Sequence, residues 1–340
     1  MSNDSKKLGW GLIGASTIAR QWVIPAINAQ SDSEVVAVMS SSEDRAKSYA
    51  EENNIPAAYH SVESILADPA VDVVYISTTN EKHKAETLAC AAVGKHVICE
   101  KPLALTLADA HEMAAACKNA GVVMGTNHHL RNAITHRTLR KLIAEGAIGR
   151  PLGVRLFHAV HLPPHLQTWR IKDPGTGAGV ILDITVHDTD TLRFILNDEV
   201  ESVTAISAQH GMGAQGIEDT VMGVMQFQSG TLAQFHDAFT VAHTNTGLQV
   251  HGTEGSLFAE DVMTQQPIGS IRLRRNDKVE DVALEPHYDL YTRAVGLFNQ
   301  AVHGNGEPAA TADDGIRSLA VALAVLESTQ TGQRVNVKYS

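Results

Sequence analysis

LGWGLIGASTIA, residues 8–19, is a short apolar run that ends in glycine and opens onto a helical pattern. LGWGLIG (8–14) has the length and composition of a buried strand. The residues that follow, Gly14, Ala15, Ser16, Thr17, Ile18 and Ala19, have the strand-turn-helix setting of the dinucleotide fingerprint G-x-G-x-x-G/A. Ser16 stands where the second glycine usually does. Gly14 permits the tight turn and Ala19 close helix–strand packing; the Ser16 hydroxyl narrows the approach of a pyrophosphate but can donate to it. A helix N-terminus at this junction favours anions. Any α/β protein could carry a glycine turn here, so the flanking pattern has to decide.

Working outward, EVVAVM (34–39), VDVVYIS (71–77), HVICE (96–100) and VVMGTN (122–127) repeat the strand signal. Helical candidates lie between them, near 17–29, 43–53, 82–93 and 107–120. Thr106 is a natural N-cap for the last of these and Gly121 closes it, while Pro25 should kink or shorten the first. Strand–helix alternation at this spacing implies βαβ units, a parallel sheet and right-handed crossovers. After about residue 128 the pattern changes. A helix near 134–145 leads to the strand candidate PLGVRLFHAVHL (151–162), then to the glycine-rich GTGAG (175–179) and a helix to about 196. DTVMGVMQFQ, TLAQFHDAFTV, LQVHGT and SLFAE follow, with Ser229-Gly230 and Glu254-Gly255 at hairpin-like turns. Helices near 288–303 and 312–331 and a possible strand at RVNVKY end the chain. The expected architecture is α/β: an N-terminal Rossmann domain with a parallel sheet over 1–127, and a substrate-binding α+β domain with an open, mostly antiparallel sheet over 128–340.

The 340 residues, 44% hydrophobic and 19% charged, describe a soluble globular protein large enough for two cores. A net charge of −11 argues against nucleic acid and anionic membranes as partners, leaving a small molecule. A phosphate ligand would therefore need local charge and backbone N–H groups. Three cysteines, Cys90, Cys99 and Cys117, show no C-x-x-C spacing, as expected for buried thiols in a reducing compartment. The start MSNDSKK lacks the apolar core of a signal peptide, and no stretch approaches about 18 uninterrupted apolar residues. A cytoplasmic protein is expected, as a monomer or a homo-oligomer.

The end of the second strand discriminates between cofactors. NAD enzymes usually place Asp or Glu there for the ribose hydroxyls. Here the strand runs into Ser40, Ser41 and Ser42, followed by Arg45. Hydroxyls and a guanidinium suit a 2′-phosphate that a carboxylate would repel, so NADPH is expected. Glu43 and Asp44 should sit on the first turn of the next helix, facing solvent. Beyond VDVVYIS, Thr78, Thr79, Asn80 and His83 are suited to ribose and nicotinamide; taken alone they are a turn and a helix cap.

HVICE runs into Lys101-Pro102. Pro102 biases the exit towards extended backbone, and strand carboxyl ends face the ligand crevice in open α/β sheets. Lys101 can then offer an ammonium to a bound carbonyl; a solvated turn lysine is the plain alternative. Glu100 and Asn127, each at the end of its strand candidate, join the cofactor-facing set. On the helix after GTGAG, Asp183, His187 and Asp190 share a face by spacings of four and three. A carboxylate one turn before a histidine can fix its tautomer, although such pairs are more often structural. The 17 histidines raise the question of metal. No HExxH occurs, and His158 and His161, three apart on a strand, fall on opposite faces. His129, His158, His161 and His165 read as walls of a polar, sugar-sized pocket or as surface residues, and no metal is expected.

With these motifs in place the chain resembles the glucose-fructose oxidoreductase, inositol dehydrogenase and dihydrodiol dehydrogenase family over nearly its whole length. The likeness rests on the fingerprint at 14–19, STTNEKH (77–83), CEKPLALT (99–106), GTNHHLRN (125–132) and GVILDITVHD (179–188). The resemblance implies Lys101 and His187 as the catalytic pair with Asp183 in support, and Ser16, Ser40 and Arg45 at the NADPH-selecting positions. It implies that Trp169 and Arg170 reach the nicotinamide, and that Lys101, His129, His161, Trp169, Asp183 and His187 bind substrate. Within the family, GASTIAR, LPPHLQTWR and ILDITVHD are most like members acting on 1,5-anhydro-D-fructose. The implied reaction is reduction of its C2 ketone to 1,5-anhydro-D-mannitol. A lysine ammonium, charged at neutral pH, would stabilise the growing alkoxide, and an imidazole would be the better proton donor. Two other readings keep the fold: an NADP-dependent dehydrogenase of a pyranose or inositol, and a non-catalytic dinucleotide-binding sensor. No G-x-S-x-G elbow supports a hydrolase.

Overall fold

In the computed structural model, which describes residues 7–286 and 288–340, the chain divides into two compact units. The first runs to His129 and takes up Asp289–Ile316 again; the second is Leu130–Tyr288 with Arg317–Ser340. Residues 289–316, expected from the sequence within the 128–340 domain, thus belong with the first unit. Their return has a packing cause: Phe298 lies against the fully buried Trp10, ring centres 5.7 Å apart, and Asn299 donates to Asp32 at 2.9 Å.

The sheet of the first unit contains β1 (Leu8–Ile13), β2 (Ser33–Met39), β3 (Ala57–Tyr59), β4 (Val73–Ile76), β5 (His96–Cys99) and β6 (Met124–Thr126). All are parallel, in the order β3-β2-β1-β4-β5-β6. The order reverses between β1 and β4, the switch point at which open α/β sheets leave a crevice beyond their carboxyl ends. Helices α1 (Ile24–Asn28), α2 (Glu43–Glu52), α3 (Val62–Leu66), α4 (His83–Ala92) and α5 (Leu107–Asn119) connect the strands. The Thr106 hydroxyl caps α5 by accepting from the Asp109 N–H at 3.1 Å. Pro25 occupies the first turn of α1, where its missing N–H leaves nothing unpaired, and the helix enters through a π-turn at Ala19–Val23. β3 and α3 are too short to leave a period in the sequence.

The second unit begins with α6 (Ile134–Ala144) and β7 (Pro151–Ala159). A π-turn at Ile181–Thr185 opens α7 (Val186–Leu196). The remaining strands are β8 (Val200–Ala208), β9 (Thr220–Phe227), β10 (Leu232–Ala238), β11 (Gly247–Gly252), β12 (Ser256–Glu260), β13 (Ser270–Arg275), β14 (Lys278–Asp281) and, at the C-terminus, β15 (Val335–Asn336). The sheet order is β14-β13-β12-β11-β7-β10-β9-β8-β15, antiparallel throughout except for β7 beside β10. Two further helices follow, α8 (Leu290–Val302) in the first unit and α9 (Ala312–Thr331). β13 escaped the sequence reading because only Ile271 and Leu273 point inward while its outer face is arginine-rich.

Candidate active site

Gly14 ends β1 at φ +108°, and a Cβ there would meet the Ser77 backbone at 3.0 Å. Glycine is therefore what lets β1 and β4 end side by side at the switch point. Ser16 fills the place of the usual second glycine: its hydroxyl bonds the Ser77 hydroxyl at 2.7 Å and accepts from the Ala19 N–H at 3.2 Å. Thr17 and Ile18, both half-buried, open the helix. Tyr49 on α2 donates to the Ser16 carbonyl at 2.8 Å, and Arg45 Nη2 donates to the Ala15 carbonyl at 2.7 Å. The guanidinium thus stands at the fingerprint loop. Ser40 is buried and Ser41 exposed, and the Ser42 hydroxyl caps α2 by accepting from the Arg45 N–H. Glu43 and Asp44 lie exposed on the first turn of α2, with Glu43 paired to Lys47 at 2.7 Å. The edge therefore presents hydroxyls and one cation at the position where NAD enzymes place a carboxylate.

At the end of β4, Thr78 donates to Glu86 and Thr79 to Glu81, both at 2.5 Å. Burial pushes the Glu86 carboxyl up to about 7 despite the Thr78 hydrogen bond. Asn80 is buried at the start of the 3-10 turn, Asn80–Lys82, that leads into α4. His83 is fully buried; its Nδ1 lies 3.0 Å from the Pro102 carbonyl and its Nε2 3.4 Å from that of Thr78. Burial lowers its pKa, so the neutral ring donates through Nδ1 to the closer carbonyl. His83 thereby clamps the turn that carries Lys101, whose peptide to Pro102 is cis.

Glu100 organises the other side of that turn. Its Oε1 accepts from the Tyr75 hydroxyl on β4 and from Asn127 Nδ2 beyond β6, the latter at 2.6 Å, while Oε2 accepts from the Lys101 N–H at 3.3 Å. Burial, reinforced by the neighbouring Glu100 carboxylate, raises Tyr75 and keeps its phenol protonated as a donor. Three adjacent parallel strands thus fix the backbone beneath Lys101. His129 is buried and stacks on Tyr291 at 5.3 Å, and Tyr291 stacks on Trp22 at 5.7 Å.

In the second unit Gly179 has φ +115°, and a Cβ there would run into the Glu218 carboxyl at 2.1 Å. That glycine lets Glu218 Oε1 accept from the Ile181 N–H at 3.3 Å, tying down the π-turn that carries Asp183. Asp183 Oδ1 lies 3.4 Å from Arg170 Nε, and the same guanidinium sits 4.6 Å from the Trp169 ring centre. Trp169, Arg170 and Asp183 therefore converge. His187, 8% exposed, follows on the first turn of α7. Asp190 faces elsewhere: both its oxygens take Arg131 at 2.7 Å in a buried bidentate pair, with the Ser318 hydroxyl at 3.2 Å. His161 is exposed, bridged to Thr240 outside the named strands. Sequence reasoning missed Tyr75, Glu86 and Glu218, which carry no spacing signal; only the glycine at 179 hinted at a close neighbour.

The switch-point crevice, the fingerprint at its edge and a lysine at a strand's carboxyl end define a dinucleotide-dependent oxidoreductase. Residues 8–128 match the oxidoreductase family with the NAD-binding Rossmann fold, and 136–258 match the GFO/IDH/MocA C-terminal domain. The chain belongs to this GFO/IDH/MocA family. It is 56% identical over 329 residues, 97% of its length and 98% of the relative's, to the 1,5-anhydro-D-fructose reductase of Ensifer adhaerens. The D-xylose 1-dehydrogenase (NADP(+)) 2 of Haloferax volcanii is 30% identical over 96% of this chain and 99% of its own. Among solved structures, the aldose-aldose oxidoreductase of Caulobacter crescentus, complexed with glycerol, superposes with a TM-score of 0.89 at 26% identity, covering 98% of this chain and 100% of that one. Among the described residues no helix is long and apolar enough to cross a membrane.

Proposed function

We propose that this chain reduces the C2 ketone of 1,5-anhydro-D-fructose to 1,5-anhydro-D-mannitol with NADPH, in the cytoplasm. The likeness at 56% identity over nearly the whole chain carries the substrate. For the cofactor, the supporting observation is Arg45 held against the Ala15 carbonyl at 2.7 Å, beside a strand end made of serines. Gly14, Ala15, Ser16, Thr17 and Ile18 would take the pyrophosphate side, Ser40, Ser41 and Arg45 the 2′-phosphate. Thr78, Thr79, Asn80, Glu100 and Asn127 would hold or shape the ribose and nicotinamide end. His83 would act by clamping the turn. When bound, the nicotinamide supplies hydride to the ketone carbon.

The chain's own residues then handle charge and proton. Lys101 offers an ammonium to the ketone oxygen and stabilises the negative charge that grows there. His187 gives that oxygen its proton. Asp183, paired with Arg170, orients the sugar hydroxyls and His187, and Trp169, His129 and His161 complete the substrate set. NADPH consumption against 1,5-anhydro-D-fructose, glucose, xylose and inosose tests the reading, with the reverse reactions assayed alongside. The anhydroketose should give the highest kcat/KM by at least about tenfold. A higher value for an aldose or an inosose would overturn the substrate assignment.

A further inference from the structure

Directly after His187 stands Asp188, a fully buried carboxyl whose Oδ1 lies 2.7 Å from Nδ1 of His158 on β7. Opposite His158 in the parallel β7/β10 register is Asp237, also fully buried. Its Oδ2 accepts from the Thr185 hydroxyl at 2.5 Å. The two carboxyls are hydrogen-bond neighbours, yet the remaining oxygens, Asp188 Oδ2 and Asp237 Oδ1, receive no donor among the described residues. Two bare carboxylates at such contact repel strongly, and a proton between them satisfies both oxygens at once.

We infer that Asp188 and Asp237 share one proton, and that this pair is a positioning device joining the first turn of the His187 helix to β7 and β10 while holding His158 as its Nδ1–H tautomer. With Nδ1–H donating to Asp188, Nε2 of His158 is the nitrogen that can gain or lose a proton. Neither aspartate touches substrate. The catalytic half of the inference rests on the role proposed for His187; the shared proton does not.

The surroundings set the pH behaviour. Asp188 is faced by Asp237 from β10 and His158 from β7; Asp237 is faced by Asp188, His158 and Thr185. His136 on α6 feels the charge of both His158 and Asp190 of α7. Burial raises both carboxyls, Asp188 to about 7 and Asp237 well above the ordinary aspartate range, with Asp188 adding repulsion to the latter. Folded carboxyls raised above their unfolded values give stability that is complete at acid pH and is lost as pH climbs towards and beyond neutrality.

Asp237→Asn puts a permanent N–H donor where the proton sits, and Asp237→Ala removes it. The infrared difference spectrum of wild type against Asp237→Asn at pH 8 should show a protonated carboxyl stretch in the wild type alone; subtraction removes the other raised carboxyls, Glu86 and Glu218. Asp237→Asn should lose less Tm between pH 5 and 8 than wild type and keep kcat within about threefold. Asp237→Ala should lower kcat by about 10- to 100-fold, increasingly with pH, at unchanged KM for NADPH. No infrared difference would overturn the shared proton. Equal kcat for the two variants at every pH would overturn the positioning role. If Asp237→Ala does not fold, the infrared difference and the Tm slope of Asp237→Asn decide. A wild type inactive on every sugar would sink the proposed function, and the infrared spectrum would still settle the proton.

Discussion

Arg45 reaches back over the fingerprint loop and donates from Nη2 to the carbonyl of Ala15, 2.7 Å away. The cation of the second βα unit is thereby fixed at the turn of the first, where the adenosine end of a dinucleotide binds in this fold. Its charge is available to a phosphate without the entropy of ordering a free arginine.

The first prediction concerns this cation. A hydrogen bond to a charged group is worth about 1.5–3 kcal/mol, so Arg45→Ala should lower kcat/KM with NADPH by roughly 10- to 100-fold. The value with NADH should change less than about threefold. Steady-state kinetics with both cofactors check this, and a wild type that prefers NADH would remove the basis for the NADPH assignment.

Lys101 is expected to act in the chemical step. Lys101→Met should reduce kcat by about 10²–10⁴-fold while the Kd for NADPH, read by fluorescence titration, moves little. A variant turning over at a near-normal rate would take the ammonium out of the reaction.

Asp190 should matter to folding. Asp190→Ala would strand Arg131, which is 9% exposed, without its bidentate carboxylate. Breaking such a buried pair costs about 3–5 kcal/mol. The urea midpoint should fall accordingly; an unchanged midpoint would mean that the pair contributes nothing net.

His136 gives a prediction for acid. It is fully buried, and burial, aided by nearby His158, holds its pKa down to about 4 from the ordinary 6.5. The unfolded chain takes up the proton first, so this stability is complete above about pH 6.5 and is lost as pH falls towards 4. About 3 kcal/mol is at stake across that window. His136→Gln should therefore lose less Tm than wild type between pH 7 and 4.5. Parallel curves for the two proteins would contradict it.

The strands of both units were legible wherever apolar runs or strict alternation marked them, as at 8–14, 34–39 and 256–260. β8, VESVTAISA, does not alternate: it carries polar residues on both faces, its register shifts between Val200 and Ser202, and no hairpin turn precedes it. Lys101 and His187 could be singled out because each follows a local signal: a strand ending in Lys-Pro, and a glycine-rich approach to a helix. Glu100 could not be given its partners. Tyr75 and Asn127 meet it only because β4, β5 and β6 lie side by side, and strand order is not written in spacing. Asp188 and Asp237, 49 positions apart in the numbering, meet around His158, which a parallel β7/β10 pairing sets opposite Asp237 in a sheet expected to be mostly antiparallel. Asp190 shows the opposite failing. Helical spacing placed it beside Asp183 and His187; the π-turn breaks the step from Asp183 to His187, while Asp190 shares α7 with His187 but has its carboxylate claimed by Arg131.

The rings of Trp22, Tyr291 and His129 form a single stack, although the middle one arrives more than 160 positions after its neighbour. A gene fragment stopping at codon 129 would therefore encode a nucleotide-binding half with a hole in its own core. Recombining this protein with a homologue would succeed only if the crossover points carry residues 289–316 along with the amino-terminal portion, so the heritable module here is discontinuous.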